Sequence, residues 1–168
     1  IDVAFIYIAN PNQPSGKIIN KKIIEKIIKM ANLRKKVLLI DEAYIDFANQ
    51  KSCTNLVKKY KNLIVLKTFS KSTGIAGLRI GYVICNPKFA KVLNSVRSIF
   101  DITHFSLKVA EYFLSNNKII KNYINKIRIT KKFVKKQCEK RNLKFLNTEA
   151  NFFYIFLDLA RVNKIYNF

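Results

Sequence analysis

The chain has 168 residues, 32 Lys and Arg against 10 Asp and Glu, a formal charge of +22 and 49% apolar residues. That length suits one ordinary domain with a sizeable core, and the apolar content excludes a disordered chain, which combines low hydrophobicity with high charge. No apolar run reaches the roughly 18 residues expected of a membrane span, and no basic-then-apolar leader opens the sequence, so neither a membrane segment nor a signal peptide is expected.

Cys53, Cys85 and Cys138 are odd in number and far apart, with no CxxC pair and no zinc-like spacing. They suggest a reducing, cytoplasmic setting and no metal site. The positive charge invites a nucleic-acid reading, because basic surfaces collect phosphates. The basic residues are spread along the chain, however, and Lys, Ile and Asn together supply about 40% of it. An AT-rich coding sequence yields that trio. Surface lysines of such origin solubilise a fold without defining a partner, so no nucleic-acid function is expected.

The pattern predicts a strand over Val3 to Ile8 (VAFIYI), a β-branched and aromatic run. The turn formers Asn10-Pro11-Asn12-Gln13-Pro14-Ser15-Gly16 follow and cannot be helical. Ile23, Ile24, Ile27, Ile28 and Ala31 repeat at helical spacing over about Asn20 to Ala31, where Glu25 precedes Lys29 by four. Further strands are expected at Val37 to Ile40, ending in Asp41-Glu42, at Leu63 to Leu66, ending near Thr68-Phe69-Ser70-Lys71, and at about Arg79 to Cys85. These continuous apolar runs suit an α/β fold whose mostly parallel sheet is covered on both faces. Ligands of such sheets sit outside the carboxyl ends of the strands, where three polar clusters fall: NPNQPSG, DEAY and TFSK.

Beyond Pro87 the spacing turns helical over Pro87 to Arg97, Phe105 to Leu114 and Asn117 to about Lys140. Lys144 to Leu146 and Asn151 to Leu157 read as strands of a different unit. A change of unit is placed inside the long helix, giving residues 1–130 and 131–168. His104, the only histidine, reads as a cap or surface residue, and the basic cluster from Lys131 to Arg141 as a solvated helix face. Phe152, Phe153, Tyr154 and Phe156 read as sheet core.

Lys71 lies in a small, polar segment, TFSKSTGIAGLRIGY. A desolvated lysine amine has a lowered pKa and can condense with an aldehyde. Arg79 follows among Gly77 and Gly81, where a guanidinium can take a phosphate through two parallel hydrogen bonds. Thr68 and Ser70 offer hydroxyls to the same phosphate. Asp41 and Tyr44 offer a carboxylate and a phenol three positions apart. A plain strand-end turn with solvated carboxylates remains the alternative for Asp41-Glu42, and a plain turn for NPNQPSG.

NPNQPSG, DEAY and TFSKSTGIAGLRIGY, in this order, resemble the signature segments of fold-type I pyridoxal-phosphate aminotransferases. The TxSK and AGLRIGY wording is similar to the histidinol-phosphate branch of that family. The resemblance extends to Thr148-Glu149-Ala150-Asn151-Phe152, which looks like the start of the family's small domain. It implies a pyridoxal 5′-phosphate-dependent transaminase fold, with residues 1–130 in the large cofactor-binding domain and 131–168 opening the small one. Lys71 would hold the cofactor covalently and move a proton between the substrate α-carbon and the cofactor. Asp41 would face the protonated ring nitrogen, Tyr44 the phenolic oxygen, and Arg79, Ser70 and Thr68 the phosphate. The Asn10 to Gly16 loop would lie against the ring edge.

The same resemblance implies a small amino/keto substrate pair with glutamate as donor, histidine biosynthesis, and a homodimer. A threonine-phosphate decarboxylase relative and a non-catalytic basic binding fragment are the alternatives. Two departures stand out. Gln13 occupies the place of an asparagine that contacts the phenolic oxygen, with Asn12 as the fallback, and Thr73 stands where a large apolar residue is common. The family's preceding phosphate loop, its ring-stacking aromatic and its substrate-binding arginine are not in this sequence. The chain therefore reads as an internal piece of a protein about twice as long, inactive by itself. Random-sequence DNA at physiological salt should bind no more tightly than the non-specific range of about 10⁻⁶ M. Nanomolar binding in a mobility-shift assay would restore the nucleic-acid reading.

Overall fold

The computed structural model describes residues 4–99 and 101–166. Strands β1 (Phe5–Ala9), β2 (Val37–Asp41), β3 (Leu63–Thr68) and β4 (Gly81–Cys85) form one sheet in the order β1-β2-β3-β4. The first three are parallel, with Ala9 opposite Asp41 and Asp41 opposite Leu66. Their carboxyl ends therefore share one edge. Val3, part of the expected first strand, lies outside the described residues.

Helix α1 (Lys21–Leu33) connects β1 to β2. The Asn20 side chain caps it by accepting from Lys22 N–H at 2.9 Å. Ile24, Ile28 and Ala31 repeat on its inner face and bury against Leu38 and Ile40 of β2, together with Leu63 and Val65 of β3. Glu25 reaches Lys59 at 3.2 Å and receives the Tyr60 hydroxyl at 3.0 Å, so it pins α1 to the β2–β3 connection.

Three features depart from the sequence pattern. First, β4 runs antiparallel to β3, with Thr68 opposite Gly81 and Ile64 opposite Cys85. The connection from Phe69 to Ile80 holds only a single 3₁₀ turn, Ala76–Leu78. That connection is at the lower limit of about a dozen residues for a parallel crossover and holds no α-helix to make it, and the chain folds straight back. Second, the β2–β3 connection, which has room for a helix, uses two short 3₁₀ turns, Ile45–Phe47 and Thr54–Lys58. Third, the sheet is not covered on both faces among the described residues. Phe5 and Tyr7 on β1 are about half exposed, because alternate residues of a strand face opposite ways and only one face meets α1.

Helices α2 (Pro87–Ser95), α3 (His104–Ser115) and α4 (Asn117–Lys140) follow. Asn86 and Thr103 cap the first two by accepting from Lys88 N–H and Ser106 N–H. His104 is the exposed first residue of α3. The basic residues from Lys132 to Arg141 are exposed, whereas Lys131 is half-buried and desolvation pulls its ammonium pKa down.

A two-stranded antiparallel sheet, β5 (Phe145–Leu146) and β6 (Tyr154–Ile155), precedes α5 (Leu159–Tyr166), a helix the sequence pattern had not suggested. The expected strand from Asn151 to Leu157 shrinks to two residues. Its aromatics are not a sheet core: Tyr154 and Phe156 are each 41% exposed and pack on one another. No helix of the described residues is long and apolar enough to cross a membrane.

Leu38 is fully buried, whereas Leu33 at the end of α1 is 81% exposed. Leu38→Ala is expected to cost about 2–5 kcal/mol through lost burial and a residual cavity. Leu33→Ala should stay within ~0.5 kcal/mol. Urea unfolding curves of the two variants check the difference.

Candidate active site

At the shared edge, the ends of β1 and β2 and the loop after β1 open into a cavity of about 920 Å³ lined by Tyr7, Asn12, Gln13, Asp41 and Tyr44, among others. Asp41 reaches it because it is the last residue of β2, on the face opposite Leu38 and Ile40. Its Oδ1 accepts from Ala43 N–H at 2.9 Å and its Oδ2 from the Tyr7 hydroxyl at 2.6 Å. Asp41 is half-buried, so its carboxylate is not the freely solvated group of a plain turn.

Tyr44 is buried three residues on. Phe152 packs edge-on to its ring at 5.2 Å, and Phe47 and Ala150 complete the cluster. Its hydroxyl donates to Gln13 Oε1 at 2.9 Å. Asn12 is committed to its own turn, accepting the Ser15 hydroxyl at 2.7 Å. Of the two amides the sequence offered, Gln13 is therefore the one that meets Tyr44.

Lys71 is half-buried, with Nζ 5.1 Å from the centre of the Tyr44 ring. A cation over an aromatic face is attracted by the ring quadrupole. Tyr44 thus joins Lys71 to the cavity that Asp41 lines. The backbone around Lys71 is held from behind: Ser72, which is buried, donates to Asp46 Oδ2 at 2.6 Å, and Asp46 Oδ1 meets Lys67 Nζ at 3.1 Å. Thr73 donates its hydroxyl to the Phe69 carbonyl, a bond that the usual large apolar residue could not make.

Lys71, Thr68, Ser70 and Arg79 are not among the cavity-lining residues; Lys71 meets the cavity only through Tyr44. Thr68 Oγ1 accepts from Ser70 N–H at 3.0 Å and donates to the Ile80 carbonyl at 3.3 Å. Arg79 follows the Ala76–Leu78 turn in the left-handed region, at φ 54°, and its exposed guanidinium donates to the Ala76 carbonyl at 3.3 Å.

Two residues of the site escaped the sequence pattern. Tyr7 alternates with apolar residues in β1, so it reads as one more strand aromatic; only the register with β2 brings it to Asp41. Glu42 had been one of two carboxylates at a solvated turn, but it is buried and takes the Ser52 hydroxyl and Cys53 N–H. Desolvation and the nearby Glu42 charge push the buried Cys53 thiol up to about 12. It stays protonated near neutrality and is not a nucleophile.

The arrangement suits pyridoxal phosphate. A carboxylate, a phenol with a partnered hydroxyl and an amide line one hollow, and the Lys71 amine stands beside it over the phenol ring; these are the kinds of donor and acceptor such a ring requires. Among the described residues no cluster of His, Cys, Asp and Glu could hold a metal ion.

Comparison with known proteins agrees. The family model for aminotransferase class I and II matches residues 1–164, and the chain belongs to that family. Histidinol-phosphate aminotransferase of Thermotoga neapolitana is 35% identical over 160 residues, covering 95% of this chain and 46% of the relative. The chain thus spans less than half the length of the curated relatives it matches. The crystal structure of histidinol-phosphate aminotransferase from Sinorhizobium meliloti in complex with pyridoxal-5′-phosphate superposes with a TM-score of 0.81 at 26% identity, over 90% of this chain and 42% of that one. L-threonine-O-3-phosphate decarboxylase from Porphyromonas gingivalis, at 22% identity and a TM-score of 0.75 over 87% and 45%, shares the fold.

Gly16 fixes the loop over the cavity. It sits at φ +67°, and a Cβ there would overlap Thr148 Oγ1 and Cβ. Its carbonyl accepts from Glu149 N–H at 2.8 Å. Gly16→Ala should therefore push the loop off Thr148 and cost about 1–3 kcal/mol from backbone strain and overpacking together, read as a lower urea midpoint.

Proposed function

We propose that the protein carrying this chain is a pyridoxal 5′-phosphate-dependent aminotransferase. It moves an amino group between glutamate/2-oxoglutarate and a keto or aldehyde partner, with histidinol phosphate and imidazole-acetol phosphate as the substrate pair. The observation that carries the reading is the grouping of Asp41, Tyr44 and Lys71, in which the Lys71 amine lies over the ring of Tyr44 and Tyr44 and Asp41 line one cavity. Membership of the aminotransferase family and the names of the relatives supply the reaction and the substrate.

Bound pyridoxal phosphate supplies an electron-withdrawing aromatic ring that stabilises negative charge on the substrate α-carbon. The residues of this chain do the rest. Lys71 is the amine that would hold the cofactor through its aldehyde carbon and, when free, would take the proton from the substrate α-carbon. The Asp41 carboxylate favours a protonated nitrogen beside it, since an adjacent opposite charge stabilises the charged form. Tyr44 donates its one hydroxyl hydrogen to Gln13, so the Gln13 amide N–H groups would be the donors toward the ring's phenolic oxygen, and the Tyr44 oxygen could only accept. Arg79 and Ser70 would offer donors to the phosphate, Thr68 would join them by releasing its hydroxyl from the Ile80 carbonyl, and Asn12 shapes the loop that brings Gln13 to Tyr44.

Residues 1–130 form part of the large domain in this reading, and 131–168 begin the small one. The protein works as a homodimer in the cytoplasm, with Cys53, Cys85 and Cys138 as free thiols.

The full-length protein reconstituted with pyridoxal phosphate is expected to show the absorbance of a lysine-bound cofactor and to form glutamate from 2-oxoglutarate with histidinol phosphate. Release of carbon dioxide from a threonine-phosphate-type substrate in its place would favour the decarboxylase reading. Lys71→Ala should abolish that absorbance and lower turnover by ~10²-fold or more. Asp41→Ala should slow α-proton exchange far more than it weakens cofactor binding. Full-rate turnover by Lys71→Ala would end the proposal.

A further inference from the structure

Asp41 carries a contact beyond its own loop. The Tyr7 hydroxyl donates to Oδ2 at 2.6 Å while Ala43 N–H donates to Oδ1 at 2.9 Å. The sheet dictates this meeting. β1 and β2 are parallel, with Tyr7 opposite Leu39 and Ala9 opposite Asp41. Tyr7 and Asp41 thus lie one pleat apart on adjacent strands and on the same face, within reach of a long aromatic side chain.

A terminal carboxylate torsion is broad and roughly two-fold, so a strand-end aspartate does not by itself hold one plane. Donors on both oxygens restrict that rotation. They occupy only two of the about four acceptor positions that an ionised carboxylate presents. Each oxygen retains a place for a further N–H.

The phenol is suited to this task and to no proton transfer of its own near neutrality. The hydrogen bond to Asp41, followed by desolvation and the Asp41 charge, pushes Tyr7 up to about 12. It remains a donor across the working range. Tyr7 is 56% exposed, so its hydroxyl is not there to satisfy a buried core.

We propose that Tyr7 is a positioning residue, whose hydroxyl fixes the Asp41 carboxylate for the protonated ring nitrogen of the cofactor. This inference rests on the reading of Asp41 given under Proposed function. It assigns to β1, at the edge of the described sheet, a share in the electronics of the site.

The test uses the full-length protein and the isosteric variant Tyr7→Phe, alone and with Asp41→Asn. In the apoprotein, the phenolate absorbance of wild type minus Tyr7→Phe should show no ionisation below about pH 11, against an ordinary tyrosine value of ~10. In the Asp41→Asn background the same difference should return toward ~10. A midpoint near 10 in wild type overturns the proposal. In the second measurement, Tyr7→Phe should weaken pyridoxal phosphate binding roughly tenfold, as for loss of a hydrogen bond to a charged group. Added to Asp41→Asn, it should have no further effect. Equal affinity in Tyr7→Phe and wild type overturns the proposal. A wild-type protein that takes up no cofactor overturns the underlying reading of the site, and the phenol titration then still reports whether the Tyr7–Asp41 pair exists.

Discussion

Parallel pairing of β1, β2 and β3 is the constraint on which the candidate site depends. Parallel strands end at the same edge, so the NPNQPSG loop, Asp41-Glu42 and the Thr68 to Lys71 segment leave the sheet side by side. The antiparallel return of β4 keeps this arrangement, because its first residue, Gly81, lies opposite Thr68 and so brings the Arg79 turn back to the same edge. The pleat then separates neighbours in the chain. Leu38 and Ile40 go down into the core formed with α1, and Asp41 goes up to the cavity. A one-residue slip of β2 would bury Asp41 and lift the apolar residues out, so the core itself enforces the register that presents the carboxylate.

Behind the cavity a second polar system braces the site. Glu42 is 1% exposed and receives Cys53 N–H at 2.6 Å and the Ser52 hydroxyl. Lys67 stands 3.9 Å from Glu42 and 3.1 Å from Asp46, which also takes the Ser72 hydroxyl. Such a network gives little net stability over an apolar core, yet losing one partner costs about 3–5 kcal/mol because it strands a buried charge. Its value here is geometric. It ties the DEAY segment to the end of β3 and to the residue immediately after Lys71, so the backbone from which the amine projects is held from the side away from the cavity.

What could be read from the chain follows from how local each signal is. The cap at Asn20, the helical repeat of Ile24, Ile28 and Ala31, and the apolar runs of β1 to β4 are short-range, and they appear where the pattern puts them. The direction of β4 was not legible, because an apolar run carries no sign of its polarity. The small-domain aromatics misled for the opposite reason. Phe152, Tyr154 and Phe156 look like a buried strand, but Phe152 packs against Tyr44, on another segment altogether. Asp41, Tyr44 and Lys71 were legible as residue types at strand ends. Tyr7 and Glu42 were not, since their importance comes from a partner on another strand or loop.

The departure at Gln13 shows how a loop can absorb a change of side-chain length. Glutamine carries its amide one methylene further from the backbone than asparagine does. Gln13 is exposed, and its Oε1 still arrives 2.9 Å from the buried Tyr44 hydroxyl. The loop that carries it is defined elsewhere: Asn12 N–H donates to the Lys17 carbonyl, Gly16 N–H to the Asn12 carbonyl, and Gly16 abuts Thr148 so closely that no side chain fits between them. With the backbone anchored at those points, the extra reach is spent crossing from the outer turn to Tyr44. The oxygen is then occupied by the phenol, and the amide N–H groups are the donors left to face a ligand. The substitution therefore changes the distance over which the amide acts and leaves its hydrogen-bonding chemistry intact.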